Sequence, residues 1–353
     1  MAHDAWHTRR IDRLLLIRTA LLIYRTMQIH TSQSSFVWGK QMPKKAVVAI
    51  GGNSLIKDKN HQTVPDQFDA ACETCAHIAS MIDQGWRVVI THGNGPQVGF
   101  ILLRSELAKK KLHTVPLDSC GAETQGELGY MIQQCLHNEF RKRGIRSQVA
   151  TVVTQTLVKK HDPAFKHPTK PIGPFYRKAE AKKHRNERGW KIIEDSGRGW
   201  RRVVPSPMPV RIIEQDVIRG LIRRGVVVVA VGGGGIPVIE ERDKLKGIEA
   251  VIDKDYASAL LAIGLKVDLF LISTAVEKVA LNFGKPDQKL LDRMTLAEAK
   301  EYYKQGHFPP GSMGPKMEAI ISYLENGGKE ALITNPENIE RALRGETGTH
   351  ITP

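Results

Sequence analysis

Six short apolar runs recur along the chain, and segments with helical periodicity lie between them. The runs are AVVAI (46–50), RVVIT (87–91), SQVATVV (147–153), VVVVAV (226–231), DLFLIS (268–273) and EALIT (330–334). Continuous β-branched runs are typical of strands that are buried on both faces. The other segments predict helices near 67–84, 97–111, 121–143, 210–224, 255–264, 295–304 and 315–326. This alternation predicts an α/β fold whose mostly parallel sheet has helices on both faces.

One long segment, about 158–205, interrupts this alternation. It is rich in proline, glycine, lysine and arginine, and an insertion of this length in a compact domain is usually functional or disordered. The aromatic residues Phe175, Tyr176, Trp190 and Trp200 supply enough apolar mass for a small core. We therefore interpret the segment as a folded lid subdomain.

The net charge of +15 is concentrated in two places. Residues 1–43 carry +4 and residues 158–205 carry +9. A basic cluster of this kind attracts phosphate, so nucleic-acid binding is one interpretation. However, the sequence has no zinc-finger spacing and no RNA-binding aromatic signature. The pattern favours a mobile basic flap that serves a small anionic ligand, with no nucleic-acid partner.

Residues 1–43 are predicted to form a poorly ordered leader or extension. The stretch 11–30 is apolar, but Arg18 and Arg25 leave it too short to cross a membrane, so no membrane partner is expected. It is rich in arginine and poor in acidic residues, which permits an organelle transit peptide. We favour an extension ahead of a start at Met42. The predicted location is therefore cytoplasmic, with an organelle matrix as the alternative.

The four cysteines are Cys72, Cys75, Cys120 and Cys135. Only Cys72 and Cys75 form a Cys-x-x-Cys pair, and no second pair completes a zinc site. Both fall at helical spacing among apolar residues, which favours helix packing over redox or metal chemistry. Few cysteines and no clear secretory signal indicate a reducing compartment.

Three glycine-rich turns follow or lie near the predicted strands. They are GGN (51–53), THGNGPQVG (91–99) and GGGGIP (232–237). Backbone N–H groups in such turns can converge on an anion, although each turn alone is as commonly structural. The second turn has one residue too many for a dinucleotide fingerprint, and GSMGPK (311–316) is not a Walker A sequence.

Three lysines lie in loops that end predicted strands or begin predicted helices. Lys170 lies between prolines in HPTKPIG, Lys254 lies between two aspartates in VIDKDYAS, and Lys316 follows GSMGP. A single lysine of this kind is usually a solvated surface residue. Their shared position in stiff loops makes a common anion site the stronger interpretation.

Eight motifs in order resemble the carbamate kinases of the amino acid kinase family. They are AIGGNSL, THGNGPQVG, VTQTLV, PTKPIGPFY, EDSGRGWRRVVPSP, GGGGIPV, AVIDKDYAS and GHFPPGSMGPK, and the resemblance covers the chain from about Lys45 to the end. It implies a three-layer αβα sandwich around a mainly parallel sheet, with a protruding lid. It also implies an acceptor-binding lobe (44–230), a nucleotide-binding lobe (231–353) and a homodimer.

The resemblance implies reversible phosphoryl transfer between ATP and carbamate, giving ADP and carbamoyl phosphate. It places this reaction in arginine breakdown. The nearest alternative is a related kinase that phosphorylates another carboxylate or phosphate, but the lid motif PTKPIGPFY argues against it. A non-catalytic anion-binding module is a further alternative, against which the intact lysines argue.

By position, the resemblance assigns roles to three groups of residues. The catalytic group comprises Lys170, Lys254, Asp255 and Lys316. The acceptor group comprises Gly51, Gly52, Asn53, Gly93, Asn94 and Gly95. The nucleotide group comprises Ser273, Ala275, Val276, His307, Met313, Gly314 and Lys316. Mg²⁺ is expected to bind mainly through the nucleotide phosphates, and no side chain is assigned to a metal.

Overall fold

The computed structural model describes residues 43–52, 55, 56, 58, 60–195, 197 and 199–353. The predicted leader therefore lies outside the described residues except for Pro43, and so does Asn53 of the predicted acceptor group. Residues 43–353 form one compact unit, and the predicted division into two lobes stays a prediction.

The described chain contains seventeen strands and nine α-helices. The strands are β1 (Lys45–Ile50), β2 (Arg87–His92), β3 (Val149–Thr151), β4 (Gln155–Val158), β5 (Lys170–Tyr176), β6 (Lys191–Glu194), β7 (Trp200–Val204), β8 (Pro209–Ile212), β9 (Val227–Val229), β10 (Ile236–Glu241), β11 (Lys244–Gly247), β12 (Leu269–Ser273), β13 (Val279–Leu281), β14 (Lys289–Leu291), β15 (Arg293–Thr295), β16 (Ala331–Thr334) and β17 (Thr349–Thr352). The helices are α1 (Val64–Asp83), α2 (Gly95–Ala108), α3 (Leu117–Arg143), α4 (Lys178–Arg188), α5 (Gln215–Arg223), α6 (Lys254–Leu265), α7 (Leu296–Lys304), α8 (Met313–Glu325) and α9 (Ile339–Leu343).

The central sheet has eight strands in the order β15-β17-β16-β12-β1-β2-β9-β3 within the described chain. Neighbouring strands pair in parallel from β3 to β16, and β17 then pairs antiparallel with β16. All six predicted strands lie in this sheet. The mainly parallel α/β fold is thereby confirmed.

Both faces of the central sheet are buried, because alternate residues of each strand join different cores. In β1, Val47 and Ala49 pack into a core that includes residues of α6 and α8. Their neighbours Ala46, Val48 and Ile50 pack into a core that includes residues of α1 and α3. Side chains of successive strand residues point to opposite faces, so a continuous apolar run is what a central layer requires. The three-layer αβα sandwich follows.

One of the seven predicted helices begins later than expected. The prediction covers 210–224, but Pro209–Ile212 forms β8 in a second sheet of order β11-β10-β4-β8, and the helix starts only at Gln215. Residues 210–213 read VRII, and so short and mostly apolar a stretch has no period that separates a short strand from the first turn of a helix.

The predicted lid contains a three-stranded antiparallel sheet of order β5-β7-β6, together with α4. Its start at Val158 still belongs to β4. Trp190 packs against the rings of Tyr176 and His184, and the guanidinium groups of Arg188 and Arg202 lie 5.3 and 5.2 Å from its ring centre. A third hydrophobic cluster then joins α2 to the lid sheet, through Val98, Ile101, Ile172 and Val204.

The cysteine interpretation is wrong for Cys72 and right for Cys75. Cys72 of α1 forms a disulfide with Cys135 of α3, 63 residues away, whereas Cys75 is free and buried. The helical spacing correctly put Cys72 on the packed face of α1. It did not indicate which part of the chain packs against that face. Cys135 of α3 does, and its sulfur bonds to that of Cys72. In the described part of the chain, no helix is long and apolar enough to span a membrane.

Candidate active site

A cavity of about 220 Å³ opens at the carboxyl ends of the central strands. In doubly wound folds ligands bind at this edge, where the strand-to-helix turns meet. Side chains and turns from five separate segments form the walls: Gly93, Asn94, Gly95, Val98, Lys170, Pro171, Ile172, Gly233, Val251, Ile252, Asp253, Lys254, Asp255, Gly311, Ser312, Pro315 and Lys316.

The turn after β2 presents the beginning of a helix to this cavity. The Gly93 N–H donates to the Ile50 carbonyl at 3.1 Å, which fixes the turn beside β1. Asn94 is the N-cap of α2, and Gly95 is its first residue. The Asn94 side chain donates from Nδ2 to Thr124 Oγ1 at 2.8 Å. Because the first N–H groups of a helix lack helical acceptors, this turn is suited to an anion.

The turn after β1 touches the turn after β2. The Gly51 N–H donates to the Ser273 carbonyl at 3.0 Å, and a Cβ added to Gly93 would lie 3.5 Å from the Gly52 nitrogen. Gly51 and Gly52 therefore lie behind the cavity wall that Gly93 forms. Two of the predicted glycine turns form one continuous floor.

The four-glycine turn, which was given no role in the predicted groups, packs directly against that floor. A Cβ on Gly232 would lie 2.3 Å from His92 Nε2, and one on Gly233 would lie 2.1 Å from Asn94 Nδ2. Gly233 also has a φ of +64°, which favours glycine. This glycine run is needed for the close approach of two turns.

Asp255 holds two of the three predicted lysines. Its Oδ1 accepts from Lys254 Nζ at 2.7 Å, and its Oδ2 accepts from Lys316 Nζ at 3.0 Å. The aspartate side chain is only 5% exposed. Burial by itself raises the pKa of this carboxyl, but the two ammonium groups outweigh it and hold the pKa well below the usual range. Asp255 is therefore ionised, and the two ammonium groups are fixed in position.

The local sequence explains why these three groups meet. Lys254 and Asp255 are the first two residues of α6, and Lys316 lies in the first turn of α8. A cation at a helix N-terminus is unfavourable unless an anion lies beside it. Asp255 supplies one such anion, and the two helix N-termini and two ammonium groups together suit a second, bound anion.

The third lysine, Lys170, reaches the same cavity from the lid. It is the first residue of β5, and its Nζ donates to Asp253 Oδ2 at 2.6 Å. Asp253 is also the N-cap of α6, because its Oδ1 accepts from the Asp255 N–H at 2.9 Å. The three predicted lysines thus line one cavity, together with an aspartate that the predicted groups did not include.

His92 ends β2 beneath the floor and is almost completely buried. Its Nδ1 lies 3.1 Å from the Gly93 carbonyl. Burial lowers the pKa of His92 to about 4, and the nearby Lys254 ammonium adds to this effect. A neutral ring can therefore donate from Nδ1 to that carbonyl at ordinary pH.

The predicted nucleotide group is more widely spread than the catalytic group. Lys316 lines the cavity, next to Gly311, Ser312 and Pro315 of the same turn. Ser273 ends β12 and is buried against Gly51, whereas Ala275 is exposed beyond it. Within the described chain, the walls of the cavity do not include Ser273, Ala275, Val276, His307, Met313 or Gly314.

Comparison with known proteins gives the family of the chain. The model of the amino acid kinase family matches residues 44–335. The chain belongs to the amino acid kinase family. A carbamate kinase of Thermococcus kodakarensis is 51% identical over 311 residues, which cover 87% of this chain and 99% of that protein. A carbamate kinase of Pyrococcus horikoshii is 50% identical and covers 88% of this chain and 100% of its own length.

A solved structure described as carbamate kinase from Giardia lamblia bound to AMP-PNP has the same fold. Its TM-score is 0.83 at 41% identity, and the match covers 88% of this chain and 98% of that one. The recognition of the family from the eight motifs is confirmed, and so is the fold that it implied.

Proposed function

We propose that this protein is a carbamate kinase that transfers a phosphoryl group reversibly between ATP and carbamate. The observation that carries the proposal is the convergence of Lys170, Lys254 and Lys316 on one cavity, beside the Gly93–Gly95 turn. The two archaeal relatives of about half identity bear this name and align over nearly their whole length.

The reaction requires the protein mainly to position the two substrates and to stabilise their charge. Carbamate already carries an oxyanion, so no side chain has to remove a proton. The remaining tasks are to align two anions in line and to stabilise charge on the moving phosphoryl group. Ammonium groups and backbone N–H groups perform these tasks best when they are held in place before the substrate arrives.

Lys254 and Lys316 would contact the migrating phosphoryl group, and Asp255 would orient both. Each ammonium has three N–H donors, of which Asp255 takes one, so the other donors can reach a phosphate. Lys170 would approach the acceptor from the lid side.

The acceptor would bind at the floor of the cavity. Backbone N–H groups of Gly93, Asn94 and Gly95 suit a small, planar carboxylate, and Gly51 and Gly52 would complete the floor behind them. Asn53 keeps its predicted role here, although it lies outside the described residues.

The nucleotide would extend from Lys316 toward the segments after β12 and before α8. In this position the nucleotide would contact the predicted nucleotide group, which comprises Ser273, Ala275, Val276, His307, Met313 and Gly314. The Giardia relative is bound to AMP-PNP, which supports a nucleotide site in a protein of this fold. The γ-phosphate would then lie next to the two lysines that flank Asp255.

Mg²⁺ would enter with the nucleotide. The described residues contain no group of three or more His, Cys, Asp or Glu side chains that could hold a metal. Both aspartates in the cavity already accept from lysines, so phosphate oxygens and water are the ligands left for this ion. When bound, Mg²⁺ neutralises charge on the nucleotide phosphates.

We further propose a cytoplasmic homodimer that forms ATP during arginine breakdown. The dimer would use large apolar side chains that are exposed on α2, on α3 and in the loop between them: Leu103, Leu107, Leu112 and Tyr130. Measurement of the mass in solution tests the dimer, and a monomer at micromolar concentration would contradict it.

The activity is tested by mixing the protein with ADP, Mg²⁺ and carbamoyl phosphate and measuring ATP in a coupled assay. Acetyl phosphate in place of carbamoyl phosphate is the comparison donor, because it distinguishes a carbamate kinase from a related carboxylate kinase. We expect ATP from carbamoyl phosphate and much less from acetyl phosphate. A folded protein that forms no ATP from carbamoyl phosphate, or that prefers acetyl phosphate, would contradict the proposal.

A further inference from the structure

The carboxylate of Asp253 joins the lid to the helix that carries Lys254 and Asp255. One oxygen, Oδ1, caps α6 by accepting from the Asp255 N–H at 2.9 Å. The other oxygen, Oδ2, accepts from Lys170 Nζ at 2.6 Å. Lys170 lies 83 residues earlier in the chain, at the start of the lid strand β5. One side chain therefore contacts both a fixed wall of the cavity and the lid.

The two aspartates in the cavity hold their lysines in different surroundings. Asp255 is 5% exposed and bonds two ammonium groups. Asp253 is 14% exposed and its partner Lys170 is 35% exposed. An ion pair that water can reach is weak and exchanges easily, whereas a buried pair is costly to break. Lys170 can therefore change partners while Lys254 and Lys316 stay in place.

The lid also contacts the rest of the described chain through apolar side chains and through the ion pairs Arg188–Glu106 and Arg202–Glu249. Ile172 and Val204 pack with Val98 and Ile101 of α2, so the base of the lid is anchored by apolar contacts. A Cβ added to Gly99 would lie 3.5 Å from Gly173 Cα, which shows how closely β5 approaches α2. The Lys170–Asp253 ion pair lies at the start of β5, next to the cavity, where it sets the position of the Lys170 ammonium group.

We propose that Asp253 is a positioning residue for the lid. Its carboxylate docks the Lys170 ammonium at the cavity before substrate binds, and an anionic group of the substrate then replaces Asp253 as the partner of Lys170. The substrate step of this inference rests on the proposed function, whereas the docking step concerns the ligand-free protein.

Docking is tested by hydrogen exchange of the amides in 170–204 in the ligand-free protein. In Asp253→Asn the cap acceptor is kept, since asparagine caps helices as well as aspartate does, but the charge is lost. We expect exchange in this segment to rise by roughly two- to fivefold, the range for a partly exposed ion pair. Lys170→Met should have the same effect, and the double variant should add nothing.

Asp268 supplies a closely matched control. Its Oδ2 accepts from the Lys45 N–H at 2.9 Å, and its Oδ1 accepts from Lys329 Nζ at 2.6 Å. It lies just before β12, at the opposite edge of the sheet from the cavity. Asp268→Asn should leave lid exchange at the wild-type rate. Asp253→Ala removes both the cap of α6 and the charge. Comparison of its exchange with that of Asp253→Asn therefore separates the effect of losing the cap from the effect of losing the ion pair.

The substrate step is tested by the kinetics of Asp253→Asn. The KM for carbamoyl phosphate should fall about twofold to fivefold, because Asp253 no longer competes with the substrate for Lys170, while kcat stays within about twofold of wild type. Wild-type lid exchange in Asp253→Asn, or independent addition of the two effects in the double variant, would overturn the proposal. If the wild-type protein forms no ATP, the proposed function fails, and the exchange measurements still decide whether Asp253 docks the lid.

Discussion

The cavity has a fixed side and an exchangeable side, and both are built from a lysine paired with an aspartate. On the fixed side, Lys254 and Lys316 share the buried Asp255 at the starts of two helices that pack into the main core. On the exchangeable side, Lys170 comes from a three-stranded lid and pairs with the more exposed Asp253. The same pair of residue types thus serves two purposes, and burial decides which.

The fixed side suits the stabilisation of a transition state. Preorganised charges act without reorganising when the phosphoryl group moves, which is why they lower the barrier more than mobile charges do. The exchangeable side would suit recognition of the substrate, because under our proposal its lysine changes partner only when another anion is present. We expect mutations on the fixed side to change kcat and those on the exchangeable side to change KM.

The largest effect should follow loss of a fixed lysine. In Lys254→Ala or Lys316→Ala, kcat for ATP formation should fall about 100- to 1000-fold, because one preorganised charge contributes about 3–4 kcal/mol to the transition state. Lys329→Ala, at the opposite edge of the sheet, is the control and should keep normal turnover. Circular dichroism checks that each variant is folded. Turnover close to wild type in either active-site variant would remove that lysine from the mechanism.

The fixed side should also carry a pH-dependent part of the stability, through His92. Its pKa is lowered from 6.5 to about 4 by burial, so the unfolded chain takes up a proton at this residue between those values and the folded chain does not. Stability from this source is complete above pH 6.5 and is lost as the pH falls toward 4. The loss amounts to about 3 kcal/mol.

Urea unfolding of the wild type and of His92→Gln across this range measures the difference. The glutamine variant should lose less stability on acidification, while its lid exchange should remain like that of the wild type. Parallel pH curves for the two proteins would show that His92 does not titrate as described. Asp255, whose pKa is also lowered, remains ionised throughout the range in both proteins.

The smallest effect should follow loss of the exchangeable lysine. In Lys170→Ala, the KM for carbamoyl phosphate should rise roughly tenfold, because a hydrogen bond to a charged group is worth about 1.5 kcal/mol net. The value of kcat should change less than in the Lys254 and Lys316 variants. Lys191→Ala, an exposed lid residue that donates to the Lys166 carbonyl, is the control. Unchanged saturation by carbamoyl phosphate would count against a role for the lid lysine.

Much of the fold could be predicted because its strongest signal is local. Each strand of the parallel centre is a continuous apolar run, since both of its faces are covered. Elements at the margins carry weaker signals. The strand Thr349–Thr352 has four residues and was not predicted, and residues 210–212 of β8 were assigned to a helix. Short elements take their structure from a neighbouring strand, which lies far away in the sequence.

The loops and the family resemblance predicted that the three lysines share one site, and they do line one cavity, but their partners could not all be predicted. Lys254 was seen to lie between two aspartates, and only Asp255 was assigned a role. The partner of Asp253 is a lysine 83 residues away, and this pairing depends on the position of the lid. The disulfide between Cys72 and Cys135 escaped prediction for the same reason. Local patterns indicate which residues are candidates, whereas tertiary packing decides which of them meet.

The most direct test of the account is a crystal structure with ADP, Mg²⁺ and aluminium fluoride, which mimics a phosphoryl group in transit. We predict that the Nζ atoms of Lys254 and Lys316 contact the mimic while both still contact Asp255, and that Lys170 has left Asp253. A mimic bound beyond hydrogen-bond reach of Lys254 and Lys316 would contradict the claim that these fixed charges stabilise the transfer.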